Sequence, residues 1–166
     1  MSEASGFGED KVKSHNRYAK KLNRKRVLIC LVAFFALLPV FSYLHEAGHA
    51  LVCIADGNEA EISVNFNGGT TLCHGDISNP FPYKISGGLF AGIIGTTIGI
   101  ALFRWKIPFI ALTTIGAGHL VNAVIEAFAD SYFTHGGEWS FFLGFIEFVT
   151  FFSLMIIFDR KTVRVV

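Results

Sequence analysis

The sequence predicts an all-α membrane protein of about four transmembrane helices, with a short β-hairpin after the first helix. Hydrophobic residues make up 52% of the 166 residues and charged residues only 16%, unlike a soluble globular protein. Four nearly uncharged segments each approach the roughly 20 residues that cross the hydrocarbon of a bilayer as a helix. Backbone groups in hydrocarbon must be satisfied within their own segment, which makes each segment helical. The segments are Val27–Leu44, Ile85–Phe103, Ile107–Ile125 and Trp139–Phe158.

The charged residues predict how these helices cross the membrane. Eight of the 14 Lys and Arg lie in Lys11–Arg26, and five others lie between the second and third segments or at the C-terminus. Basic loops stay on the cytoplasmic side, so we expect a multi-pass protein of the cell membrane with both termini in the cytoplasm. Residues 1–26 would form a basic cytoplasmic tail that rests on anionic lipid or only sets the topology. Residues 27–166 would form one membrane-embedded region, and no nucleic-acid partner is expected.

The first helix is expected to run past Leu44, to about Asp56, with a tilt or a bend near Pro39. Cys53 near its end and Cys73 in the following loop both lie on or near the predicted outer side. An oxidising compartment there would allow them to pair. The chain has three Cys, so pairing of these two is one alternative and free thiols are the other.

A short β-hairpin is predicted between the first and second helices. Alternating Ile62, Val64 and Phe66 indicate its first strand. The turn signal Asn67-Gly68-Gly69 follows, and the segment TTLCH returns as a second strand. We expect this hairpin to lie at the outer membrane surface.

The remaining helices differ in what they carry. The second has small residues at four-residue spacing, which predicts close packing against another helix; these are Gly88, Gly92, Gly95 and Gly99. The third has a polar stripe on one face, spaced three, four and four, formed by His119, Asn122, Glu126 and Asp130. Ionisable residues inside a membrane helix are candidates for function. The fourth has Glu147, as a packing residue or as a partner of His119.

The segment HEAGH, His45 to His49, carries the strongest chemical signal of the sequence. In an H-E-x-x-H motif the two His lie four residues apart on one helical face and can bind one metal ion. Zinc accepts neutral imidazole nitrogens and, in catalytic sites, keeps a position open for water. Glu46 is then the candidate general base that accepts a proton from that water. We therefore expect Zn²⁺ as cofactor.

The third zinc ligand is expected from the third helix. Under the predicted topology His49 lies near the outer end of helix one, while Glu126 and Asp130 lie near the outer end of helix three. The two clusters then share a depth in the bilayer, and either carboxylate can complete the site. In the same stripe, Asn122 is a candidate for hydrogen bonding to a substrate strand, and His119 either lines the cavity or packs.

The stretch HEAGHALV in a membrane helix resembles the site-2 protease family of intramembrane zinc metalloproteases. Members follow the motif helix with a β-hairpin-like segment and supply the third ligand as an Asp on a later helix, in a pattern from Asn to Asp-Gly. Asn122 and Asp130 have this spacing, but the intervening Pro is absent and Ser131 stands in place of Gly. The resemblance implies Asp130 as a zinc ligand and an active site nearer the cytoplasm than the charges predict.

The stretch EAFAD, Glu126 to Asp130, also resembles thermolysin-like enzymes and the membrane-bound protease family that cleaves prenylated proteins. These use a Glu as the third ligand and an Asp four residues later that orients a ligand His. A carboxylate behind a zinc-bound His is common. This resemblance implies Glu126 as the direct ligand, which we slightly favour.

These features predict a membrane-embedded zinc metalloprotease that hydrolyses peptide bonds within or next to the bilayer. Its expected partners are the lipid bilayer, a membrane protein or peptide as substrate, and a regulatory membrane partner where substrate selection needs one. An extended substrate would add to an edge of the hairpin. Two alternatives stay open: a non-catalytic zinc-binding regulatory or assembly protein with a closed four-ligand site, and a metal transporter with the polar stripe as its path.

Overall fold

The structure, a computed structural model, describes residues 23–65, 68–129 and 136–160. It consists of four helices and one two-stranded antiparallel sheet, and the sheet follows the first helix. This confirms the predicted helices and hairpin, and all four helices are long and apolar enough to cross a membrane. Most of the predicted basic tail lies outside the described residues. The elements are α1 Arg24–Ala55, β1 Glu59–Asn65, β2 Gly68–His74, α2 Pro80–Ala101, α3 Lys106–Phe128 and α4 Gly136–Arg160.

Helix α1 is 32 residues long and continues without a break through Pro39. Its N-terminus is capped by the Asn23 side chain, which accepts a hydrogen bond from the backbone N–H of Arg26 over 3.3 Å. It ends at Ala55, close to the predicted end, and Gly57 then turns the chain with a φ of 85° that favours glycine. The helix is about 48 Å long at 1.5 Å per residue, so it exceeds the roughly 30 Å of a bilayer's hydrocarbon.

The hairpin packs one face against α1. Its register pairs Ile62 with Thr71 and Asn65 with Gly68. Side chains along both strands alternate between exposed and half-buried, as expected when one face is covered. A disulfide between Cys53 of α1 and Cys73 of β2 fastens this face, so the paired alternative for these residues is the correct one. Phe66 and Asn67, which helped to predict the hairpin, lie outside the described residues.

Helix α2 packs closely along α3 through its glycines. A Cβ added to Gly88 would lie 2.5 Å from the backbone nitrogen of Ala123, and one added to Gly95 would lie 3.0 Å from Cα of Gly116. The first of these separations is shorter than real Cβ contacts, so the two backbones approach as the glycine spacing predicts. Helix α2 starts with Asn79 as N-cap and Pro80 in its first turn, which fixes where the glycine row begins.

Two hydrophobic clusters hold the helices together. One joins Cys30 of α1 to the start of α3 and the end of α4, through Phe109, Ile110, Phe151 and Met155. The other joins Phe41 of α1 to α2 and α3, through Ala91, Leu112 and Ile115. On α4, the carboxyl of Glu147 lies against Gly118 of α3, where an added Cβ would overlap it. This contact favours the packing role for Glu147.

Replacing Gly88 with Ala should lower the thermal stability of the detergent-purified protein. The new methyl group meets backbone atoms of α3, which cannot rotate away, so α2 and α3 must separate. Overpacking of this kind costs about 1–3 kcal/mol, more than the roughly 1 kcal/mol by which Ala favours a helix over Gly. The measurement is the unfolding midpoint. The matched control is Gly144→Ala on α4, where the added methyl meets open space, and an equal midpoint for the two variants would contradict the prediction.

Candidate metal centre

Three buried side chains from two helices converge on one point. His45 and His49 lie one turn apart on α1, and Glu126 lies on α3, with exposures of 8%, 6% and 3%. Their candidate ligand atoms all lie within 4.8 Å of one another. The Nε2 atoms of the two histidines are 3.2 Å apart, and Glu126 Oε1 is 3.1 Å from His45 Nε2. Glu126 Oε2 is 3.7 Å from His49 Nε2. This buried group can hold a metal ion.

The separations fit a tetrahedral ion. Zinc bonds to His nitrogen and carboxylate oxygen of about 2.0–2.2 Å place neighbouring ligand atoms about 3.3 Å apart. The separation of 3.2 Å between the two nitrogens lies close to that value, and the two oxygens of Glu126 lie 3.1 Å from His45 Nε2 and 3.7 Å from His49 Nε2. In addition, Glu126 Oε2 is buried and has no hydrogen-bond partner among the described residues. A buried carboxylate oxygen without a partner is costly, and a cation at this point would satisfy it.

The hydrogen bond between His49 and Tyr83 determines which nitrogen of the His49 ring can bind a metal ion. Its Nδ1 is 2.7 Å from the backbone carbonyl of Tyr83, which can only accept, so Nδ1 carries the proton and donates. The opposite nitrogen then presents a lone pair, as in metal sites where a second partner fixes the tautomer. The same carbonyl accepts from the Ser86 hydroxyl over 2.8 Å. The first turn of α2 therefore orients this imidazole.

Two glycines give the site its space. A Cβ added to Gly48, between the motif histidines, would lie 2.5 Å from the carbonyl oxygen of Ser86 and 2.9 Å from Cα of Gly87. A Cβ added to Gly87 would overlap Nε2 of His49 and lie 2.8 Å from Nε2 of His45. Gly48 therefore allows α2 to approach α1, and Gly87 keeps the volume in front of both imidazole nitrogens empty of side chain.

Glu46 is also buried, but it is not one of the three converging residues. It faces the hairpin, where its Oε2 accepts a hydrogen bond of 2.8 Å from the Thr71 hydroxyl. A Cβ on Gly69 would overlap Cγ of Glu46, so β2 lies directly on this side chain. The Glu46 carboxylate thus belongs to the residue next to His45 and lies near the three converging side chains. It has a hydrogen-bond partner of its own, the Thr71 hydroxyl.

The other predicted site residues lie at different distances from this group. The His119 ring packs between the rings of His45 and Phe41, with centroids 5.3 and 6.0 Å away. Asn122 is buried one turn before Glu126, and its Oδ1 has no hydrogen-bond partner within the described part of the chain. Asp130 lies outside the described residues. Of the two carboxylates that the sequence left open as third ligand, Glu126 is the one seen beside both histidines.

Sequence reasoning missed three contributors to the site. Tyr83 acts through its backbone carbonyl, which no side-chain pattern reveals. Thr71 contacts Glu46 only because the hairpin has this register and because β2 packs against α1. Gly87 adjoins the predicted glycine row but is one residue before it, and its adjacency to Gly88 was the available signal. All three positions become visible only when α1, α2 and β2 are brought together.

Replacing Gly87 with Ala should reduce the metal content of the purified protein. The added methyl would occupy the space in front of both Nε2 atoms, so the imidazoles must turn away from each other. Metal per chain, measured by elemental analysis after equilibration with zinc, is expected to fall well below that of wild type. Gly144→Ala on α4 serves as the control and should keep wild-type content. Full occupancy in Gly87→Ala would show that the ion lies elsewhere.

Comparisons with protein-family models, with curated proteins and with solved structures found no match to this chain. The site is therefore interpreted from its own residues and geometry.

Proposed function

We propose that this protein is a membrane-embedded zinc metalloprotease that hydrolyses peptide bonds within or next to the bilayer. The observation that carries the proposal is the convergence of His45, His49 and Glu126, with Glu46 buried beside them. Two imidazoles and one carboxylate form the ligand set of a large class of catalytic zinc sites, which keep one position open. The resemblance of HEAGHALV to the site-2 protease family, and of EAFAD to Glu-ligand enzymes, points to the same chemistry.

Each residue then has one task. His45, His49 and Glu126 would hold the ion, and the Tyr83 carbonyl keeps the His49 proton on Nδ1. When bound, zinc supplies a Lewis acid that polarises a peptide carbonyl and makes water a nucleophile at neutral pH. Glu46 accepts the proton of the attacking water and returns it to the leaving amine. Asn122, with its buried and unpartnered Oδ1, accepts a hydrogen bond from a backbone N–H of an extended substrate. His119 lines the site behind His45.

The position of the motif along α1 supports cleavage at membrane depth. His45 is 21 residues after Arg24, about 32 Å along the helix axis, so it lies close to one boundary of the hydrocarbon when the helix starts at the other. The hairpin beside it has two strands, and a segment of a membrane protein or peptide would pair with one of its edges after unwinding. We place the termini in the cytoplasm from the distribution of Lys and Arg.

Replacing Glu46 with Gln should abolish cleavage of membrane substrates while zinc is retained. The amide has nearly the same shape but cannot accept the proton, and general-base catalysis contributes about 10²–10⁴-fold. The measurement is proteolysis of a transmembrane substrate panel in liposomes, with zinc content determined in parallel. Glu61→Gln, on the exposed face of β1, is the matched control. A Glu46→Gln protein that still cleaved would leave the mechanism without its base.

Metal analysis of single variants tests the ligand set independently of activity. Wild type should hold about one zinc ion per chain, as a three-ligand catalytic site does. His45→Ala and Glu126→Ala should lose it, because each removes one of the three converging ligand atoms. Asp130→Ala should keep it.

Three other results of this metal analysis would correct the proposal. Loss in Asp130→Ala with retention in Glu126→Ala would move the third ligand to Asp130. Loss in both, together with no cleavage by wild type, would favour a closed structural site in a non-catalytic zinc-binding protein. Iron in place of zinc would overturn the cofactor, since two His and one carboxylate also bind iron.

A further inference from the structure

The hairpin does more than cover the metal centre, because it makes a specific polar contact with Glu46. The Thr71 hydroxyl lies 2.8 Å from Oε2 of Glu46 and 2.9 Å from the backbone carbonyl oxygen of the same residue. Its single hydrogen is thus shared between two acceptors that belong to one residue. Through this contact, the Thr71 hydroxyl links the Glu46 carboxylate to the backbone carbonyl of the same residue on α1. It limits the rotamers that the carboxylate can adopt.

We propose that Thr71 is a positioning residue for the general base. The proposal rests on the proposed protease function, in which Glu46 takes a proton from water. With Oε2 held by Thr71, Oε1 is the oxygen left to accept that proton. A base must lie within hydrogen-bond reach of the proton it abstracts, and small displacements of a catalytic group cost large factors in rate. Thr71 itself touches neither metal ligand nor substrate in this role.

Packing confines Glu46 from the same side. Gly69, two residues before Thr71 on β2, shares its face of the strand, and an added Cβ there would overlap Cγ of Glu46. Gly69 therefore allows the backbone of β2 to contact the aliphatic part of the Glu46 side chain, while the Thr71 hydroxyl binds its carboxylate. The half-buried positions of β2, Gly69, Thr71 and Cys73, form one continuous contact with α1.

Two further bonds fix the place of Thr71. Cys73, on the same face two residues later, is joined to Cys53 of α1 by the disulfide. Cys53 lies seven residues, about two helical turns, after Glu46 and on the same side of the helix. On the other side, the Tyr83 hydroxyl donates to the Thr71 backbone carbonyl over 3.4 Å. Thr71 is therefore attached to α1 through Glu46 and to α2 through Tyr83, so its hydroxyl has a defined location relative to Glu46.

The test compares three variants of the full-length protein in liposomes. Thr71→Val keeps the size and branching of the side chain but removes the hydroxyl, and Thr71→Ser keeps the hydroxyl. Thr70→Val, on the exposed face of the same strand, is the matched control. We expect Thr71→Val to lower kcat about 10- to 100-fold with KM and zinc content unchanged, and to lower the unfolding midpoint modestly because the buried Glu46 carboxylate loses a hydrogen-bond partner. Thr71→Ser should recover most of kcat, and Thr70→Val should match wild type.

An infrared readout makes the contact testable without any turnover. The carboxylate stretch of Glu46 is identified as the band that is lost in Glu46→Gln. In Thr71→Val this band should move, because one oxygen loses its hydrogen bond, whereas in Thr71→Ser and Thr70→Val it should stay at the wild-type frequency. If wild type cleaved no substrate, the proposed function would fail, and the infrared band alone would decide whether Thr71 holds Glu46.

Four results would overturn the positioning role. The first is a Thr71→Val protein with wild-type kcat, and the second is a Glu46 band that does not move. The third is a Thr71→Ser protein as slow as Thr71→Val, which would mean that the methyl group and not the hydroxyl matters. A loss of zinc in Thr71→Val would assign Thr71 to the structure of the site and would likewise overturn the proposal.

Discussion

The close approach of α1 and α2 at Gly48 and Gly87 is the contact on which the rest of the site depends. Where these glycines meet, the first turn of α2 lies within hydrogen-bond distance of the His49 ring, and its Tyr83 carbonyl sets the tautomer. A side chain at either position would move α2 outward, and with it α3, which packs along the glycine row. Glu126 would then leave the histidines. The distance between the backbones of α1 and α2 thus determines the geometry of the candidate ligands. Gly48 of the HEAGH motif is as necessary for this geometry as the two histidines.

Burying the polar side chains of the site costs free energy. Two carboxylates and two imidazoles are buried in one part of a bundle whose other described interior positions are largely apolar. Removing such groups from water is costly unless each finds a partner. Glu46 has the Thr71 hydroxyl, His49 has a backbone carbonyl, and His45 has Glu126. The second oxygen of Glu126 and Nδ1 of His45 have no hydrogen bond among the residues described. A cation between the three side chains offsets the cost for Glu126 directly.

Much of the fold was predictable, because hydrocarbon permits few structures and turn residues mark their own positions. Long apolar runs gave the helices, and Asn67-Gly68-Gly69 gave the hairpin. Helical spacing predicted His45 and His49, and a shared depth predicted a carboxylate of the third helix as their partner, but it left Glu126 and Asp130 both open. The disulfide stayed open because pairing depends on a distance between two elements, which spacing along the chain does not contain. Thr71 and Tyr83 were missed for a related reason. Thr71 acts across the contact between β2 and α1, and Tyr83 acts through its backbone carbonyl oxygen, an atom that every residue has.

The Cys53–Cys73 disulfide has a consequence for how the protein must be made. A bond of this kind forms and persists where the compartment is oxidising. In the proposed membrane protein, the hairpin end of the bundle would therefore mature on the non-reducing side of the bilayer. A chain inserted the opposite way would face a reducing cytosol with both thiols, and its hairpin would be held on α1 only by non-covalent contacts. In such a protein, correct insertion and correct packing of the hairpin on α1 would depend on each other, so a chain inserted the wrong way would also have a less firmly held site.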